Sequence, residues 1–270
     1  MSYITKTLTT SEGCDASQGK RLSICLLADG FSFAQLSHDG ELLAFGEAGG
    51  GHAQNMTDAA RELKAWLTGE GIRPLQFGSM QLTVFSNASV WVPDEVYQPG
   101  MGRQYLKLVG GDGQGLMTAQ CPELGSTAVF AASDWLATAF KVSLPGLTVA
   151  NQHVRLAEVA GQMTGSPVLL THWRDGYVDI AAYRDGRYVF GNTWAGDEEG
   201  AVLFHLLDVM KTYGLESEGT RLLMCGDVDR ERFARFRPYF PVVSLWGGTA
   251  KAGGKMRTLH TYRHALTLVV

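Results

Sequence analysis

The sequence predicts a mixed α/β fold of two similar lobes, on two grounds: one hairpin pattern occurs twice along the chain, and a helical stretch follows each occurrence. LLADGFSFAQLSHDGELLAF (residues 26–45) carries two Asp-Gly pairs ten positions apart, and LTHWRDGYVDIAAYRDGRYVF (170–190) repeats the arrangement. Asp29 and Asp39 map onto Asp175 and Asp185 by the same shift of 146 positions. A single Asp-Gly needs no more explanation than a favoured hairpin turn. Two in register, with a helix in phase behind them, argue for a duplicated unit.

In the first unit SICLLAD, FSFAQLS and ELLAFGE read as three short strands of an antiparallel meander, joined at Asp29-Gly30 and His38-Asp39-Gly40. The Gly-rich AGGGHAQ follows, and then a helix that Asn55 can cap, with Met56, Ala60, Leu63 and Leu67 on one face. Gly69 and Gly71 end it, and QLTVFSN reads as the next strand. The second unit has the same order: PVLLTHW, YVDIAAY, RYVFGNT, a helix over residues 196–214, and RLLMCGD. Its apolar face, Val202, Leu206, Val209 and Tyr213, stands at the first helix's positions plus 146.

Between the units SVWVPDEVY, RQYLKLVGG and GLMTAQC read as extra strands, with a helix over 134–142 capped by Ser133, a strand at LTVAN and a helix over 152–163. After the second unit DRERFARFRPYF reads as helix and PVVSLWG as strand. A loop, TAKAGGKMRT, then leads to a last strand, RHALTLVV. The lobes divide as residues 1–164 and 165–270.

A length of 270 residues with 45% hydrophobic content supports a sizeable core in one or two domains. The net charge of −4, with both signs interspersed, leaves no electrostatic footprint for nucleic acid. Cys14, Cys25, Cys121 and Cys225 show no CxxC spacing, which fits reduced thiols in the cytoplasm. No run reaches the roughly 18 apolar residues of a membrane span, so no direct membrane insertion is expected; residues 1–20 read as a frayed or edge-paired terminus.

A lobe made of a three-stranded meander, a helix, a strand, a helix and a strand resembles the actin, hexokinase and Hsp70 superfamily, whose lobes are ribonuclease H-like. YVDIAAYRDGRYVFGNTWAGDEEG is similar to the second phosphate hairpin and following helix of the pilus-assembly and type II secretion actin-like proteins. RLLMCGDVDRERF is similar to their late strand, Gly turn and helix. SVWVPDEVY, YLKLV and VFAASDWLATAF resemble an uncharacterised bacterial family of unknown function with this fold. The resemblance spans residues 21–246 by element order. It implies an interlobe cleft that takes ATP with Mg²⁺ in active members, and partner proteins or membrane-protein tails docked on one lobe in the pilus and secretion relatives.

On that basis Asp29 and Asp175 are the candidates for metal or water positioning, and Gly30, Gly176, Gly226 and Asp227 for nucleotide binding. Turn-forming aspartate is the simpler reading of the first pair, and helix capping that of Asp227 and Asp229. Asp29-Gly30 is followed at once by Phe31 and Asp175-Gly176 by Tyr177, without the small residues that widen a phosphate-wrapping turn. A ring is therefore expected where phosphate would approach. The expected function is a non-catalytic binding or scaffold protein with no cofactor and no metal, and an ATPase or small-molecule kinase is the alternative. A protein partner fits this reading, and oligomer statistics favour a homodimer.

Other patterns carry less. VGGDGQG (109–115) lacks the Lys-Ser/Thr of a P-loop and reads as a hairpin loop; AGGGH (48–52) reads as a connection. The seven histidines form no HExxH, and His260 and His264 lie in a strand-like stretch. No GxSxG elbow is present. Arg230, Arg232, Arg235 and Arg237 read as a solvated face.

Overall fold

The computed structural model describes residues 6–9, 20–28, 30–38, 40, 42–49, 56–69, 77–111, 115–133, 135–136, 146–174, 176–216 and 218–246. They form two compact units, one running to Val154 and the other starting at Arg155. The division falls inside helix α3, named below.

The first unit is built on strands β1 (Lys6–Thr9), β2 (Lys20–Leu26), β3 (Gly30–Leu36), β4 (Leu42–Gly49), β5 (Phe77–Val84) and β9 (Leu147–Asn151), with helix α1 (Met56–Gly69). The sheet order is β1-β4-β3-β2-β5-β9. β2, β3 and β4 form the antiparallel meander, while β5 and β9 run parallel to β2 and to β5 respectively. Alternate residues of a strand face opposite sides. Leu22, Ile24, Leu26, Phe31 and Phe33 thus share one face, and Ala59, Ala60, Leu63, Trp66 and Leu67 of α1 close over it. The β1 pairing with β4 is the edge-paired terminus expected from the sequence.

Between β5 and β9 a smaller sheet is inserted, from β6 (Ser89–Pro93), β7 (Leu116–Cys121) and β8 (Ser126–Ala131) in the order β6-β8-β7, with helix α2 (Gly102–Lys107). RQYLK is helix here, not the expected strand. The reason is its two glycines, which cap a helix rather than turn a hairpin. Gly110 takes φ +76°, and the Gly111 N–H reaches back to the Leu106 carbonyl at 2.9 Å, closing the last turn. Leu106 is thereby buried with Val92 and Val129 in a small core of its own.

Helix α3 (Gln152–Glu158) leads to β10 (Val168–Arg174), β11 (Tyr177–Arg184), β12 (Arg187–Ala195), α4 (Glu199–Tyr213), β13 (Arg221–Gly226), α5 (Arg230–Phe236) and β14 (Val242–Leu245). The second sheet has the order β12-β11-β10-β13-β14, matching β4-β3-β2-β5-β9 strand for strand. Val202, Leu206 and Val209 of α4 are buried against Leu169, Trp173, Ile180 and Leu222. The duplicated element order is therefore real at the level of sheet topology.

The Asp-Gly pairs, however, are not equivalent turn residues. In the first unit Leu27 N–H bonds the Gly30 carbonyl at 2.8 Å, so Ala28 and Asp29 lie between the paired residues. In the second the last pair is Arg174 with Tyr177, so Asp175 and Gly176 lie between them. The hairpin has slipped by one residue, and the pairing shift is 147, not 146. Asp185 (φ 54°) and Gly186 (φ 71°) form a second two-residue turn with both residues left-handed, the backbone that matches strand twist.

The expected cap Asn55, Gly50, Gly51 and His52, the last strand at 263–270, His260, His264 and Cys14 lie outside the described residues. So does the expected helix over 134–142, apart from Trp135 and Leu136. No helix among the described residues is long and apolar enough to cross a membrane, which says nothing of a β-barrel.

Candidate functional site

Ligands of open α/β sheets gather outside the carboxyl ends of the parallel strands. In the second unit that end is formed by the exits of β10 and β13, with Trp173 and Gly226 as register partners. Of the residues expected from sequence, Gly176, Gly226 and Asp227 meet here. Gly176 is exposed at φ +68°, and its carbonyl accepts the Gly196 N–H at 2.7 Å. Gly226 is buried at φ +84°, and a Cβ on it would collide with the Trp173 carbonyl, so only glycine fits. The Asp227 N–H continues the ladder to the Trp173 carbonyl at 2.9 Å, and the Val228 N–H turns back to Gly226 O at 2.8 Å. Gly30 belongs to the first unit, as the first residue of β3 paired with Gly49. Asp29 and Asp175 lie outside the described residues.

Arg232, read from sequence as solvated, instead locks this end together. Its guanidinium donates to the Asp227 carbonyl at 2.6 Å and to Asp197 at 3.2 Å, pairs with Glu199 at 3.6 Å, and lies 4.4 Å over the Trp173 ring. Asp229 caps α5, accepting the Arg232 N–H at 2.7 Å, the role its sequence position predicted.

Phe31 departs from expectation. It is 1% exposed, with its ring 5.5 Å from Trp66 in the α1-facing core. Because β3 begins at Gly30, the alternation of the strand carries Phe31 inward rather than across the turn. Tyr177 is half-buried, and the Arg174 guanidinium sits 5.0 Å over its ring.

The carboxyl end of the first sheet is also closed internally. The Ser86 N–H donates to Gln152 Oε1 at 3.0 Å, and Gln152 Nε2 donates to the Ser86 carbonyl at 2.7 Å, tying the exit of β5 to the start of α3. Asn151 caps that helix through Val154 N–H at 3.0 Å, while its own Nδ2 is buried without a partner.

A buried ionic network escaped the sequence reading. Asp179, fully buried in mid-strand, accepts two bonds at each oxygen. Arg174 Nη2 (3.2 Å) and Thr193 Oγ1 (2.6 Å) reach Oδ1; Arg174 Nε (3.0 Å) and His172 Nδ1 (3.1 Å) reach Oδ2. His172 is the register partner of both Asp179 and Cys225. A signal was available: a two-residue turn at 175–176 pairs positions whose numbers sum to 351, which sets His172 opposite Asp179. The corresponding ladder positions of the first unit are Cys25, Ser32 and Thr83, small and uncharged. Only the second unit carries the charge.

Cys, His and Asp side by side invite comparison with a nucleophilic triad, but the chemistry is wrong. Burial pushes the Cys225 thiol well up, and the Asp179 charge pushes it further, whereas a nucleophile needs a depressed value and access to substrate. Asp179 has both oxygens engaged, which suits an anchor rather than a base. No group of three or more His, Cys, Asp and Glu side chains among the described residues could hold a metal.

Solved structures establish the fold. A Bacteroides thetaiotaomicron protein with an actin-like ATPase fold and unknown function aligns at TM-score 0.68 and 16% identity, covering 85% of this chain and 91% of its own. The PilM-PilN type IV pilus biogenesis complex aligns at 0.54 and 13% identity, over 92% and 96%. The ethanolamine utilization protein EutJ from Carboxydothermus hydrogenoformans aligns at 0.52 and 10% identity, over 94% and 90%. No curated protein matches the sequence. Identities this low carry architecture and not activity: the chain has an actin-like ATPase fold of mixed sheets flanked by helices. The model of the family described as "Protein of unknown function (DUF3822)" matches residues 12–243, and the chain belongs to that family.

Proposed function

We propose that the chain is a non-catalytic binding or scaffold member of the actin-like fold, acting in the cytoplasm on a protein partner. The observation that carries this reading is the carboxyl end of the second sheet. A phosphate cradle needs several free backbone N–H groups around an open turn. Here the hairpin leaves two residues between Arg174 and Tyr177, and the Asp227 and Val228 N–H groups are spent on protein carbonyls. The start of α4 carries Asp197, Glu198 and Glu199, a charge that opposes an anion at a helix N-terminus. These features argue against an open phosphate cradle at this end. The protein-partner reading draws on the PilM neighbour, which was solved in complex with PilN. The cytoplasmic reading draws on three buried cysteines held as thiols rather than disulfides, Cys25, Cys121 and Cys225.

The test is calorimetric titration with ATP and Mg²⁺ up to millimolar concentration, with phosphate release followed in parallel. No saturable heat and no turnover are expected. Saturable binding with turnover that Asp175→Asn abolishes, at unchanged melting temperature, would replace this reading with an ATPase or small-molecule kinase using Asp29 and Asp175.

A further inference from the structure

Helix α4 buries Val202, Leu206, Val209 and Met210 against the second sheet. On its opposite side stand Gly200, Phe204, Leu207 and Lys211, all exposed. Phe204 is 66% exposed and Leu207 44%. Scattered singly, such side chains need no explanation; here they are consecutive members of one stripe. The spacing of the stripe is four, three and four residues, which keeps its members along one line of the helix and is the spacing of a seam between paired helices.

This line complements itself when reversed. An antiparallel copy centred between His205 and Leu206 sets against each other positions whose numbers add to 411, so that Phe204 meets Leu207 and Gly200 meets Lys211, each twice. The space above Gly200 is open, with nothing within 4 Å of where a Cβ would stand, and it admits the lysine stem. The ammonium then lies beside Glu198, the residue at the start of the facing helix. Glu198 and Lys211 are both exposed, and neither has an ion-pair partner among the described residues. Glu199 is already engaged by Arg232 and Arg235 and takes no part. A helix acidic and uncommitted at its start, basic and uncommitted at its end, and apolar between them fits a second copy of itself.

We propose that two copies of this chain associate through α4, paired antiparallel about the helix midpoint, with Phe204 of each packed on Leu207 of the other and Lys211 of each crossing Gly200 to reach Glu198 of the other. The surface is isologous, as a closed dimer requires, and the antiparallel helix dipoles favour it. A contact along one 15-residue helix, about 22 Å long, falls short of the roughly 800 Å² per partner of a standard interface, so the dimer is a weak one. The proposal does not depend on whether the sheet ends hold phosphate.

Sedimentation equilibrium of the full chain, from micromolar to near-millimolar concentration, is expected to show the mass rising from 29.3 kDa towards twice that value. Leu207→Glu, at an exposed position that leaves the monomer's circular dichroism unchanged, should weaken the dimer by about tenfold or more, because the new carboxylate is pressed against Phe204. Glu198→Lys and Lys211→Glu should each weaken it by about threefold to tenfold by setting like charges together, and the double variant should return the dissociation constant to the wild-type value. That rescue separates the antiparallel register from any other use of the same face. A monomer at every concentration overturns the proposal, as does a dimer indifferent to Leu207→Glu or a double variant no tighter than the single ones.

Discussion

Replacing Asp179 with alanine tests whether the buried network holds the second unit together. The carboxylate accepts four bonds, two of them from Arg174 at 3.0 and 3.2 Å, and its removal leaves a guanidinium that is 6% exposed without its counter-charge. Breaking a buried ion pair from one side costs about 3–5 kcal/mol. The stacking of Arg174 on Tyr177 offsets little of this, because a ring face does not replace a carboxylate. At about 2–4 °C per kcal/mol for a chain of this size, the melting temperature should fall by roughly 6–20 °C. Urea unfolding of the wild type, Asp179→Ala, Arg174→Met and the double variant separates pairing from packing. The double variant should recover much of the loss, with a coupling of about 2–3 kcal/mol. A single-variant cost below about 1 kcal/mol, or no coupling, would refute the structural role assigned to Asp179.

Gly226→Ala should destabilise by about 3 kcal/mol or more, because the new Cβ meets the Trp173 backbone at a φ that only glycine adopts easily; thermal melts check it, and a change within about 0.5 kcal/mol would mean that the β10 and β13 exits are looser than described. Tyr183 and Cys225 both have raised values, each first from burial, then from Tyr188 and Cys225 for the tyrosine and from Asp179 for the thiol. A folded value above the unfolded one means that stability is intact below the unfolded value and lost as pH rises above it. Stability should therefore begin to fall near pH 9, where the unfolded thiol ionises. Tyr183→Phe with Cys225→Ala should flatten that alkaline limb in urea titrations, at the cost of about 1 kcal/mol for the lost bond from the Tyr183 hydroxyl to the Leu156 carbonyl.

Local pattern carried most of the elements. The apolar period placed Ala60, Leu63, Val202 and Leu206 on buried helix faces, and Asp185-Gly186 formed the two-residue turn its chemistry dictates. What failed were readings that depend on neighbours. RQYLK became helix because Gly110 and Gly111 cap it; Phe31 went inward because the hairpin closes one residue earlier than the Asp-Gly pair implied. Asp179 looked like one polar residue in an apolar strand until its cross-strand partners met it.

Composition, strand alternation and helical period by themselves determined that this protein is a doubled α/β module, since each is written in residues a few positions apart. Only the tertiary structure decided which of those residues do more than build it. The ionic network joins β10, β11 and β12, and the Arg232 lock joins α5 to β10, β13 and α4, contacts made through space between side chains that no local period relates.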